Sequence, residues 1–87
     1  MIRCSHVFSE NPLSENSVVI LQQRISGVVN VRMVDLMGRT VKVLNNRWLG
    51  EGTHKFDLKA SDLGDAGLYF LVADDGVNIY RQKIIVQ

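Results

Sequence analysis

The sequence is poor in most of the residues that build active sites and anchors. Cys4 is the single cysteine among 87 residues, so no disulfide closes within the chain and cysteine usage gives no reading of redox compartment. His6 and His54 are the two histidines, too few beside other ligand types for zinc, which takes three or four Cys, His or carboxylate ligands. No apolar run approaches the ~20 residues of a membrane-spanning helix. The N-terminal "MIRCSHVFSENP" lacks the apolar core of a secretory signal, so export, if it occurs, relies on another segment. Lysine and arginine number 10 against 9 acids, a formal net charge of +1, which offers no electrostatic footprint to nucleic acid or an anionic membrane. Aromatic residues make up 7%, a thin supply for a sugar-stacking platform. Sustained helical periodicity is missing as well.

What is there is strand material. Hydrophobic residues are 46% and charged residues 22%, ordinary for a soluble globular domain. At this length one domain fits, with room for one core but not for a deep cleft besides. Short runs of Val, Ile, Leu, Tyr and Phe alternate with Gly, Asn, Asp and Ser. Asn11-Pro12 marks a turn or strand entry, since proline pushes Asn11 toward extended backbone. Strands are expected at residues 17–23, 28–36, 40–44, 54–58, 67–73 and 77–86, the fifth apolar on both faces and so central in its sheet. Residues 45–53 are expected to form a polar connection containing Trp48, and 61–66 a loop with one helical turn. Asp74-Asp75-Gly76 signals a hairpin of type I′. The sum is an all-β chain: an immunoglobulin-like antiparallel β-sandwich of about seven strands. The cysteine–tryptophan–cysteine pattern of antibody domains is absent.

The candidate chemistry reduces to structure. Asp35, Gly38 and Arg39 sit between two strands, where glycine supplies a positive φ and aspartate accepts backbone N–H groups inside the turn. A catalytic acid needs a pocket, a partner and a shifted pKa, and no second acid is placed to supply them. Asp74-Asp75-Gly76 lacks the spaced oxygen ligands of a calcium loop. No Gly-x-Ser-x-Gly elbow accompanies the serines, and Gly50-x-Gly52 has no strand–turn–helix setting for a dinucleotide. Trp48 is read as folding back over an open end of the sandwich, against the alternative of an exposed anchor. Tyr69 and Phe70 are read as core. The expected catalytic set, metal set and cofactor are each none.

Taken together the motifs resemble a known family, the type A C-terminal sorting domains of the type IX secretion system of Bacteroidetes. The family's opening segment is matched by Asn11 and Pro12, although Ser9-Glu10 replaces the usual Tyr-Pro. Its Asp-x-x-Gly-Arg hairpin is matched by Asp35, Gly38 and Arg39, and a glycine before the next strand by Gly52. Leu-x-x-Gly-x-Tyr is approached by Leu63, Gly67 and Tyr69, with one extra residue between leucine and glycine. A terminal lysine followed by apolar residues is matched by "KIIVQ", Lys83, Ile84, Ile85, Val86 and Gln87. The similarity spans residues 8–87, leaving 1–7 as a linker remnant.

The resemblance implies a non-catalytic export signal on a larger cargo. Its expected partners are the N-terminal cargo domains, an outer-membrane secretion translocon and a sortase-like cysteine peptidase that removes the domain. No nucleic acid is expected, and a strand-swapped dimer is an open possibility. The cargo would pass through the periplasm to the cell surface or the medium. Recognition is expected at the terminal strand, where Arg81 and Lys83 stand among apolar neighbours: residues of Ile84, Ile85 and Val86 anchor the core, while Lys83 and the chain end through Gln87 form the readable face. The competing reading is an adhesive or carbohydrate-binding β-sandwich module of a surface or secreted enzyme.

Overall fold

A computed structural model describes residues 4–8, as backbone, and 17–87 with side chains. The motif pair Asn11 and Pro12 lies outside the described residues. The chain runs β1 (Cys4–Phe8), β2 (Ser17–Gln23), β3 (Gly27–Val34), β4 (Thr40–Leu49), β5 (Gly52–Leu58), a 3-10 turn (Ala60–Asp62), β6 (Gly67–Asp74) and β7 (Ile79–Val86). Two antiparallel sheets form, one ordered β1-β2-β5 and the other β4-β3-β6-β7. The chain crosses between sheets at β2–β3, β4–β5 and β5–β6, and stays within one at the β3–β4 and β6–β7 hairpins. That is the expected immunoglobulin-like sandwich. The stretch read as linker contributes β1, which pairs with β2 from Cys4↔Gln23 to Phe8↔Ile20.

Period-two alternation builds the core. Val19 and Leu21 from β2 face Val29, Val31 and Met33 from β3, Tyr69, Leu71 and Ala73 from β6, and Ile84 and Val86 from β7. Leu58 and Leu63 close one end. A branched apolar side chain on every second residue fits a pleat buried on one side, so the same residues that favour strands fill the gap between sheets. The expected central strand is β6, hydrogen-bonded on both edges by β3 and β7.

Three readings need correction. Residues 45–49, expected as a polar connection, continue β4 to Leu49, opposite Val31 through Gly27 of β3. Edge strands tolerate solvent-facing polar residues, and Asn45 is used structurally: its Nδ2 donates to the carbonyls of Val29 at 2.8 Å and Arg47 at 3.1 Å. Trp48 accordingly points outward at 63% exposure instead of covering the sandwich end. The β6–β7 turn departs from type I′, which needs positive φ at both central residues; only Gly76 has it, at 88°. The buried Asp75 replaces the second requirement, its Oδ1 accepting the N–H groups of Val77 at 2.8 Å and Asn78 at 2.6 Å.

The long edge β4 has two register shifts, between Val31/Arg32 and between Met33/Val34 of its partner. Such bulges interrupt the regular ladder that another chain would need for pairing.

Candidate functional site

The motif residues gather mostly at one end of the four-stranded sheet. The 35–39 turn joins β3 to β4 with a three-residue loop. Gly38 N–H donates to the Asp35 carbonyl at 3.0 Å and Asp35 N–H to the Arg39 carbonyl at 2.9 Å. This is a type I turn followed by a glycine bulge, Gly38 having φ 82°, and such a turn favours aspartate first and glycine fourth. Asp35 Oδ1 accepts the N–H groups of Met37 and Arg39, each at 2.9 Å, and Oδ2 accepts Arg39 Nε at 2.9 Å. The Arg39 backbone N–H, above all, holds the Asp35 carboxyl below its ordinary 3.8, with the guanidinium adding to it. Both carboxylate oxygens are thus engaged in shaping the loop.

A second cluster stands beside it. The Tyr69 hydroxyl shares its one proton between the carbonyls of Asp65 at 2.6 Å and Leu63 at 3.2 Å, tying the β5–β6 connection to β6. This bond from early in the sixth strand to the preceding corner is the tyrosine corner of immunoglobulin-like sandwiches. Leu63 drops its side chain into the core, and Gly67, with φ 150°, starts the strand in a region closed to other residues. Leucine, glycine and tyrosine therefore act as anchor, bend and tie.

The terminal strand completes the group. Across the ladder Val86 faces Gly67, Ile85 faces Leu68, Ile84 faces Tyr69 and Lys83 faces Phe70. Ile84 and Val86 are buried, whereas Lys83 and Gln87 are exposed and Ile85 is 44% exposed. β7 is an edge strand, so its outward row of Ile79, Arg81, Lys83 and Ile85 fronts solvent along one margin of the sheet. Gly52 is not part of this cluster: it opens β5 opposite Gln23, at the other end of the sandwich.

Phe70 requires a correction too. It was expected in the core, but it lies half-buried on the outward face, between Val34 and Lys83 in register. A continuous apolar run hides this, because period two still sends alternate residues outward. Residues Val34, Asp35, Leu36, Gly38, Phe70 and Arg81 line an open hollow of about 280 Å³. A second, of about 250 Å³, lies between the same turn and residues 66–69. Sequence reasoning had no signal for either beyond the outward alternation of β7.

Other candidates resolve into structure. His54 Nε2 donates to the Gly50 carbonyl at 2.7 Å, bracing the β4–β5 corner. The side chains of Cys4 and His6 lie outside the described residues. Among the described residues no group of three His, Cys, Asp or Glu side chains is placed to hold a metal, and no helix is long and apolar enough to cross a membrane.

A family model described as "Secretion system C-terminal sorting domain" matches residues 11–87. No curated protein and no solved structure matches the chain.

Proposed function

The chain belongs to the family of secretion system C-terminal sorting domains, the sorting signals of type IX secretion, and from that premise we propose that it is read as a folded, non-catalytic tag on a larger cargo. The observation that carries the reading is the family match over residues 11–87, which runs through the terminal strand. An outer-membrane translocon receives the tag while the cargo waits in the periplasm. A sortase-like cysteine peptidase then cuts upstream of the sandwich, and the cargo is attached at the cell surface or released.

Recognition falls on the outward side of β7. Ile84 and Val86 hold the strand in place by burial, and Lys83, Ile85 and Gln87 are the side chains offered to a receptor. The remaining motif residues act at one remove: Asp35, Gly38 and Arg39 set the turn, and Leu63, Gly67 and Tyr69 set the corner that seats β6 beside β7. Gly52 starts β5.

The test is a reporter carrying a signal peptide and this chain at its C-terminus, expressed in a type IX-competent host. The reporter is expected at the surface or in the medium, shortened by the tag's mass. Accumulation of the intact fusion in the periplasm would falsify the proposal. The exposed Trp48 favours one competing reading, glycan binding. Retention on a glycan array that is lost in Trp48→Ala would establish that alternative.

A further inference from the structure

Five of the large apolar side chains left exposed lie on one surface. Val28 on β3, Val43 and Trp48 on β4, and Ile79 and Ile85 on β7 all point away from the core, on the outer face of the four-stranded sheet. Strand β6 adds Leu68 and Phe70, half-buried in the same plane. Val72 shares that outward orientation and yet is only 3% exposed. It stands between Arg32 on β3 and Arg81 on β7 in register, and long arginine stems cover apolar neighbours in this way while their heads stay in water.

The face is also lopsided in charge. Arg32, Arg81 and Lys83 lie on it, and Asp74 is the acid of its strand rows. The whole chain carries nearly balanced charge, so this bias is local. Its margin holds the 280 Å³ hollow lined by Val34, Leu36, Phe70 and Arg81, with Gly38 and an Asp35 whose charge is met by Arg39. That volume is below the usual ~300–1,000 Å³ of small-molecule pockets, and it suits one inserted side chain.

We infer that the outer face of the four-stranded sheet docks a protein surface that presents an apolar anchor flanked by carboxylates, the anchor entering the hollow beside Arg81. The inference rests on the sorting-signal reading and gives that signal a receptor chemistry. Three observations choose this occupant. Tryptophan and arginine are the residues in which protein-binding energy concentrates, and Trp48, Arg32 and Arg81 are all present. A second copy of the chain stacked face to face about a two-fold axis across the strands would oppose the Arg81 and Lys83 rows of both molecules, like charge to like. A lipid surface is a poorer match, because the three cations of the face, Arg32, Arg81 and Lys83, fall short of the cluster of about 4–8 Lys/Arg that anionic headgroups call for. Four strands of this length span ~500 Å² of flat face, room for one compact contact. It also gives the 35–39 turn a second use, since Leu36 forms one wall of the hollow.

The experiment measures binding of the purified chain to the detergent-solubilised outer-membrane translocon of a type IX-competent host. Parent, Arg81→Glu, Leu36→Ser and Lys55→Glu are compared, the last lying on β5 of the other sheet. Arg81 and Leu36 are exposed, and thermal melts verify that each variant folds, with Arg81→Gln used if Arg81→Glu melts early. Expected are salt-sensitive binding by the parent, losses of about tenfold or more in the Arg81 and Leu36 variants, and no change in Lys55→Glu. Equal binding by all four overturns the inference, as does parent binding to anionic phosphatidylglycerol vesicles but not to translocon. Self-association of the parent that Arg81→Glu abolishes overturns it in favour of a dimer face. Export of the parent reporter is scored alongside: a reporter that is exported while the parent and the three variants bind alike leaves the sorting function standing, whereas an unexported parent reporter removes that reading itself.

Discussion

Replacing Tyr69 by phenylalanine removes one oxygen and leaves the ring. The ring stays in the core against its neighbours, so no cavity forms and the perturbation is confined to the one hydroxyl proton. It is shared between the Asp65 carbonyl at 2.6 Å, in a half-buried position, and the Leu63 carbonyl at 3.2 Å, in a buried one. A net hydrogen bond contributes ~0.5–1.5 kcal/mol, and the carbonyl stranded in the interior adds to the loss. The expected destabilisation is ~1–3 kcal/mol. For a domain near this size each kcal/mol moves the melting temperature by about 4–8 °C, so Tyr69→Phe should melt roughly 5–20 °C below the parent. Urea unfolding followed by circular dichroism checks the same quantity, with an unchanged slope, because the area exposed on unfolding is unchanged. A melting temperature within about 1 °C of the parent would refute the argument that the hydroxyl ties the corner, and with it the physical account of the leucine–glycine–tyrosine motif.

Other perturbations separate the remaining parts. The Asp35 carboxyl is held below 3.8 in the folded chain, so its contribution is fully present above that value and is lost as pH falls below it; the melting difference between parent and Asp35→Asn should shrink to nothing in that acidic range, and a difference constant from neutral pH to pH 2 (roughly) contradicts the assignment. Gly38 has φ 82° with no atom within 4 Å of an added Cβ. Gly38→Ala should thus cost only the backbone penalty, ~1–2 kcal/mol, and Gly38→Asn less; a larger loss in urea titration would mean that the turn is crowded. Ile84→Ala, at a fully buried position, should lose ~2–5 kcal/mol, against about 1 kcal/mol or less for the half-exposed Ile85→Ala, and equal losses in thermal melts would contradict the inward–outward alternation of β7.

Much of the sandwich was legible because it is written in side-chain type. Residues 17–23 centre on the apolar, mostly β-branched run Val18-Val19-Ile20-Leu21, and the strand found there has the same bounds. Residues 67–73 are apolar on both faces, and β6 is central in its sheet. The 35–39 turn was legible because aspartate and glycine each have one physical use at that spacing. The misreadings share a cause: what decides them is a neighbour distant in sequence. Asn45 and Asn46 look like a turn until β3 lies beside them and Asn45 bonds the Val29 carbonyl. Trp48 was read as folding back over an open end, but its register opposite the outward-facing Val28 decides its direction. Phe70 was read inward from its apolar neighbours, although period two sends it to the outer face. The hollow at Arg81 joins residues from three strands and a turn, a juxtaposition that no local pattern contains.

Truncating the terminal residues would not separate readout from folding, because Val86 is a core residue. Point substitutions along β7 do separate them. The decisive measurement is secretion of the reporter plotted against melting temperature for an inward set, Ile84→Ala and Val86→Ala, and an outward set, Arg81→Glu, Lys83→Ala and Ile85→Ser. A readable surface predicts that outward variants lose secretion while melting near the parent temperature. All five variants falling on a single line of secretion against stability would contradict it.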